Sequence, residues 1–236
     1  VRLLRRFELP PRLRTLAELV GSCGCLWDVG TDHGKLPVWL LVNGKIRSAI
    51  ASDIRKGPLE SAERTAEANN VKDSMIFILC DGLDAPAGLE ADVITIAGMG
   101  GDTIAGILDR APWVADRKTR LLLQPMSSIE DLREYLYSGR YTVLGERLVR
   151  ERDKLYLIIE AIGGGDPEPY DLKDTRIGKH LVRDAEFADY AGREMRRLRN
   201  ELLGADSRKK AAIHEALRRI AAIKEETEND HGTRHI

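Results

Sequence analysis

Four apolar runs in this chain end in clusters of Asp and Gly, and that recurrence constrains the fold more than any other feature. The clusters are Asp28-Val29-Gly30-Thr31-Asp32-His33-Gly34, Ser52-Asp53, Cys80-Asp81-Gly82 and Ala97-Gly98-Met99-Gly100-Gly101. The runs before them, Cys25 to Val29, Ile46 to Asp53, Met75 to Leu79 and Val93 to Ala97, read as strands, and Leu121 to Leu123 as a fifth. Helical patterns separate them, over Pro58 to Asn69, Asp102 to Arg110 and Ile129 to Tyr137, with another beginning near Leu36 or Pro37. Continuous apolar strands alternating with helices predict an α/β fold with a parallel sheet covered on both faces. In such a sheet the ligand lies beyond the carboxyl ends of the strands, where these four clusters would stand together.

The flanks differ from this middle. A leading helix is expected over Arg12 to Val20, stopped by Gly21. Tyr141 to Val149 and Lys154 to Ile162 are strand-like runs with only a few charged residues between them, which predicts a terminal antiparallel hairpin. Gly163-Gly164-Gly165-Asp166-Pro167 is a breaker cluster and the expected linker, dividing the chain into a domain over 1–163 and a helical tail over 164–236. In the tail Ala188, Ala191, Met195, Leu198 and Leu202 recur at helical spacing, continued by Ile213, Leu217 and Ile220. Gly204 and Asp206 or Ser207 between these stretches suit a C-cap and an N-cap, so two antiparallel helices are expected.

A net charge of -1 hides a segregation along the chain. Residues 1–14 carry five Arg against one Glu, residues 176–219 carry 12 basic against seven acidic side chains, and the middle is acidic. Basic flanks attract a polyanion through counterion release, although solvated helix faces look the same. No run approaches the roughly 18 apolar residues of a membrane span, and the Arg-rich start has no apolar signal core, so a cytoplasmic protein is expected. Cys23, Cys25 and Cys80 support neither a disulfide framework nor a metal site.

The chemistry is concentrated at the strand ends. Glycine lets a ligand touch backbone, and a carboxylate at the end of a second strand can accept both hydroxyls of a ribose, a role that fits Asp53. Asp81, before the tight turn at Gly82, stands where an adenine amino group could be read, and Asp28 suits an ammonium group, directly or through water. A dinucleotide reading needs Gly-x-Gly-x-x-Gly, which is absent, and three acids would repel a pyrophosphate.

The segments Asp28 to Pro37, Ala51 to Ala62, Asp81 to Leu83, Val93 to Gly101 and Leu122 to Pro125 resemble the bacterial tRNA (adenine-22 N1)-methyltransferase family. The similarity runs from about Leu13 to Ile162, and Ile96-Ala97-Gly98-Met99-Gly100-Gly101 is its most specific part. The resemblance implies a Rossmann-like class I methyltransferase sheet, S-adenosyl-L-methionine as methyl donor, a D-arm adenine of tRNA as target, and a C-terminal coiled-coil hairpin that helps to hold the tRNA. The cofactor positions it implies are Asp28, Gly30, Asp53, Asp81, Gly82 and the turn Gly98, Met99 and Gly100. Lys35 stands where the family more often has an aromatic residue, and a lysine there suits a phosphate.

Unpaired adenine N1 carries a free lone pair and becomes cationic on methylation, so a nearby carboxylate would stabilise charge that develops during reaction. Asp32 is the candidate for that role, with His33 as its positioning or proton-relaying neighbour; the plainer alternatives are a helix cap and a turn residue. The fourth strand ends in Ala97-Gly98-Met99-Gly100, not in the Asn or Asp followed by Pro-Pro-aromatic that adenine-N6 enzymes carry. Gln124 and Pro125 are candidates for contact with a flipped base, or for a rigid turn. A monomer is the favoured state. Two alternatives stand beside this reading: the same cofactor with another RNA, protein or small-molecule substrate, and a non-catalytic nucleotide-binding interaction module.

Overall fold

A computed structural model describes residues 8–86 and 88–232, with no side-chain account beyond 228. Arg2, Arg5 and Arg6 of the basic N-terminal flank lie outside the described residues. The chain forms α1 (Pro11–Val20), β1 (Cys23–Val29), α2 (Lys35–Val42), β2 (Ile46–Asp53), α3 (Lys56–Ala68), β3 (Met75–Leu79), β4 (Val93–Gly100), α4 (Gly101–Asp109) and α5 (Trp113–Asp116). It continues through β5 (Arg120–Ser127), α6 (Ile129–Ser138), β6 (Tyr141–Glu151), β7 (Lys154–Gly163), α7 (Leu172–Ile177), α8 (Phe187–Glu201) and α9 (Ser207–Gly232).

The seven strands form one sheet in the order β3-β2-β1-β4-β5-β7-β6. The first five pair in parallel, whereas β7 runs antiparallel to both β5 and β6, which closes the sheet with the expected hairpin. The chain reverses its strand order between β1 and β4, and a ligand crevice belongs at that switch point. Ile94, Ile96, Leu121 and Leu123 on these central strands are fully buried, as a sheet covered on both faces requires.

The tail packs against the sheet domain, which its helical spacing alone does not reveal. Ile177, Leu181, Phe187, Tyr190, Ala191, Leu198, Ile213 and Ile220 join the same buried apolar cluster as the sheet. Gly163, Gly164 and Gly165 form no loose tether: the Gly164 and Gly165 N–H groups donate to the Arg140 carbonyl at 2.9 and 3.3 Å. A Cβ on Gly163 would meet Ala115 Cα at 2.5 Å, so glycine is what allows this segment to leave the sheet so closely packed. Helix α7, absent from the sequence expectation, is a short turn started by a capping box between Asp171 and Asp174. At the bend between α8 and α9 the chain makes a 3-10 turn over Leu202–Gly204 rather than ending on a left-handed glycine. Asp206 does act as the expected cap, accepting the Lys209 N–H at 2.8 Å.

Candidate active site

A cleft of about 480 Å³ opens at the carboxyl ends of β1, β2 and β4. Asp28, Gly30, Asp32, His33, Lys35, Asp53, Gly98 and Met99 all line it, so the loops after three successive sheet neighbours converge on one space. Arg12, Thr31, Arg55 and Met126 also line it.

Asp28 lies one residue before the end of β1 at 6% exposure. Its Oδ1 accepts from the Thr95 hydroxyl at 2.7 Å and its Oδ2 from the Thr31 hydroxyl at 2.8 Å. Thr95 reaches it because β1 and β4 pair with Asp28 opposite Thr95. Burial nevertheless dominates and pushes the carboxyl up to about 6, the two hydroxyl donors opposing it.

Asp53, equally buried, ends β2. Its Oδ1 accepts the Arg55 N–H at 2.8 Å, while Oδ2 has no protein donor among the described residues. A carboxylate oxygen that faces the cleft without a protein donor is open to a hydroxyl pair such as that of a ribose.

Gly30 has φ +71°, and a Cβ there would meet Met99 Cε at 2.3 Å. The Gly30 and Thr31 N–H groups both donate to the Ser52 carbonyl, which holds the β1 loop over β2. Gly98, at φ +80°, makes a bulge in β4 between Ala97 and Met99. A Cβ there would meet nothing closer than an Arg12 nitrogen at 3.7 Å, so this backbone is bare toward the cleft.

Asp32 adopts φ +51°, the left-handed region that non-glycine residues seldom enter. It does not cap α2, whose N-cap is Gly34 with no side-chain cap bond; its carboxylate instead projects into the cleft at 72% exposure. His33 Nε2 lies 3.7 Å from the Asp32 carboxylate, and its Nδ1 is 2.6 Å from the Ser61 hydroxyl on α3. The imidazole is therefore pinned from behind.

The other candidates stand elsewhere. Asp81 and Gly82 follow β3 beside this cleft without lining it, and the Asp81 carboxylate pairs with Arg110 at 3.1 Å. Gly82 fits its left-handed turn against Ile107. Gly100 closes β4 with Ser127 opposite it. Pro125 makes no turn: it lies buried inside β5, opposite Met99. Gln124 is fully buried, its Oε1 accepting from Arg12 Nη1 and its Nε2 donating to the Pro125 carbonyl at 2.9 Å, so its amide reaches no open seat for a base.

Arg12 was legible only as part of the basic flank. Besides Gln124 it faces the Tyr156 ring at 5.4 Å, and its backbone N–H donates to Glu151. Among the described residues, no group of three or more potential metal ligands occurs and no helix is long and apolar enough to cross a membrane.

The residues present fit S-adenosyl-L-methionine, because the cleft offers a free carboxylate oxygen for a ribose, acids for cationic groups, and bare glycine backbone. Strand order, crevice and donor set define a Rossmann-like methyltransferase domain, and a family profile described as a methyltransferase domain matches residues 9–159. The chain belongs to the tRNA (adenine(22)-N(1))-methyltransferase family: it is 37% identical over 168 residues to the Bacillus subtilis enzyme of that name, covering 71% of each chain. The crystal structure of the B. subtilis m1A22 tRNA methyltransferase superposes with a TM-score of 0.77 at 30% identity, over 93% of this chain and 98% of that one. A proposed tRNA (m1A22) methyltransferase of Streptococcus pneumoniae, solved with S-adenosyl-L-methionine, gives 0.77 at 31% identity, over 92% of this chain and all of that one.

Proposed function

We propose that this protein transfers a methyl group from S-adenosyl-L-methionine to N1 of adenine 22 in the D-arm of bacterial tRNA. The observation that carries the reading is the convergence of Asp28, Asp32 and Asp53 on one glycine-lined cleft, in a chain similar along most of its length to enzymes of that activity.

S-adenosyl-L-methionine supplies an electrophilic methyl group. Asp53 accepts the ribose hydroxyls through its open Oδ2, and Asp28 favours the ammonium end of the methionine moiety. Asp81 would hold the adenine amino group of the cofactor in place of Arg110, whose pair with it is half exposed and costs little to release. The target N1 attacks through its own lone pair and needs no strong base. Asp32, held over the cleft by its left-handed backbone, stabilises the positive charge that the adenine ring gains, and His33 holds Asp32 in place. The adenine must be unpaired or flipped out, at about a few kcal/mol. Lys35, exposed at the first turn of α2, meets a flanking phosphate.

The helical hairpin supplies the remaining cations. Arg196, Arg199, Arg208 and Lys210 are exposed, and none makes an ion pair with a carboxylate among the described residues. Replacing Arg199 and Lys210 by Ala is expected to weaken tRNA binding and flatten its salt dependence by roughly 0.7 to 0.9 log units per log unit of salt for each phosphate no longer neutralised. Filter binding across a salt series checks this; an unchanged slope would place the RNA elsewhere. Truncation at the glycine-rich segment is a poor substitute, since it would strip buried partners from the sheet domain.

Asp28 gives the cofactor site a pH signature. Its folded carboxyl titrates at about 6, above its ordinary 3.8, so the free protein binds the extra proton and loses that stabilisation as pH rises through this window. A cationic ligand prefers the ionised form, so affinity for S-adenosyl-L-methionine is expected to rise with pH up to about 6, by at most about tenfold per unit, and then level off. Calorimetry on the wild type and on Asp28→Asn tests this, because the variant should show a flat profile. In the same measurement Asp53→Ala should bind the cofactor at least about tenfold more weakly. Equal affinity would remove the ribose role.

A further inference from the structure

We propose that Met126 forms the seat for the face of the target adenine, and that buried Gln124 is the residue that positions it. The inference rests on the adenine-N1 reading above and adds to it the side chain that holds the base.

Met126 lies next to the end of β5 with 48% of its surface exposed, unusual for a large apolar side chain on the strand of the fully buried Leu121, Leu122 and Leu123. Among the described residues it alone lines both the methyl-donor cleft and a second groove of about 440 Å³ between the start of α6 and α8. Ser127, Ser128, Arg197 and Asn200 lie along that second groove. An RNA strand leaving the cleft toward the hairpin therefore crosses Met126 first.

The other apolar residues lining the cleft, Leu13, Leu36, Ala97 and Met99, are buried or half-buried. Among the described residues of the cleft, Met126 alone offers an open apolar surface. A purine lifted from its stack needs such a surface, and a thioether against an aromatic face contributes about 0.3–1.5 kcal/mol in general.

Methionine is flexible, so a seat requires something to hold it. Gln124 Nε2 lies 3.5 Å from the Met126 sulfur and also donates to the Pro125 carbonyl, while Gln124 Oε1 is taken by Arg12. The amide cannot reorient without losing the Arg12 bond. The chain Arg12, Gln124, Met126 thus fixes the thioether at the junction, and Gln124 acts on the base through Met126, not by touching it.

The test is steady-state kinetics with tRNA as the varied substrate, beside calorimetry for the cofactor, on Met126→Ala, Met126→Leu and Gln124→Leu. The expected result for Met126→Ala is a fall of about ten-fold in kcat/KM for tRNA with unchanged cofactor affinity, and only partial recovery in Met126→Leu, which keeps the apolar surface and loses the sulfur that faces Gln124. Gln124→Leu should fall in the same direction. A 2-aminopurine at the target position should be bright when bound to wild type, unstacked on a non-aromatic seat, and dimmer with Met126→Ala. Unchanged tRNA kinetics in Met126→Ala would overturn the proposal, and so would a matching loss of cofactor affinity, which would assign Met126 to the donor site. Wild-type protein that forms no 1-methyladenosine would instead remove the reading beneath it, which separates the two failures.

Discussion

Replacing Asp32 by Ala is expected to lower kcat by about a hundredfold or more while leaving the affinity for S-adenosyl-L-methionine unchanged. The magnitude follows from what one preorganised electrostatic partner contributes when charge develops in a transition state, on the order of 10² to 10³ in rate. Binding should survive because Asp32 is neither the buried carboxylate one residue before the end of β1 nor the one that ends β2; it reaches into the cleft from the loop between β1 and α2. Asp32→Asn separates charge from shape: it keeps the hydrogen-bonding outline and loses the negative charge, so it should be nearly as slow. Single-turnover assays with saturating cofactor measure this step. Asp32→Asn at wild-type speed would show that the carboxylate does not stabilise the methylated ring.

The largest effect on stability is expected far from the cleft. Arg133 on α6 and Glu146 on β6 form a fully buried ion pair at 2.7 Å. The same guanidinium donates to the carbonyls of Thr175 and Arg176, at the end of α7, at 3.0 and 2.8 Å, and lies 3.1 Å from the Tyr190 hydroxyl on α8. Gly178 makes room for the pair, since a Cβ there would collide with Glu146 Oε2. One buried charge thus ties the sheet domain to both α7 and α8. Glu146→Gln leaves the guanidinium buried without a counterion, which costs about 3–5 kcal/mol, or about 10 °C in Tm for a chain of this size. The double variant Arg133→Met with Glu146→Leu removes both charges and should recover much of the loss. Chemical denaturation of the two variants decides the point: if Glu146→Gln is no less stable than the double variant, the pair does not hold the hairpin in place.

Local signals predicted the parts of the molecule that depend on local chemistry. Asp28, Gly30, Asp53 and Gly98 stood out because a strand end facing a ligand needs an acid or a bare backbone at that point of the chain. The structure brings all four into one cleft. Thr95 was silent, because a threonine inside an apolar strand says nothing until sheet register sets it opposite Asp28, 67 residues away in sequence. Gln124 is legible as a polar residue toward the end of β5, but its partner is not: nothing in a single sequence reveals that Arg12 reaches it across 112 residues.

The tail shows the same limit. Apolar spacing identified a helical hairpin, yet buried positions on α8 include Glu194 and Tyr190 beside Ala191 and Leu198. Burial holds the Glu194 carboxyl above its usual range, against the opposing pull of Arg197 and Arg176. Polar groups are buried there because Arg133 and Arg176 come to them from other elements, and no helical periodicity encodes that. A breaker cluster of glycines likewise reads as a linker until Ala115 and Thr142 are seen pressed against it.

The most direct test of the central claim is the identity and position of the methylated nucleoside formed when the protein reacts with labelled S-adenosyl-L-methionine and unmodified bacterial tRNA. The account predicts 1-methyladenosine at position 22, formed by the wild type and lost in Asp32→Ala. Label in N6-methyladenosine, in another nucleoside, or in none would contradict it.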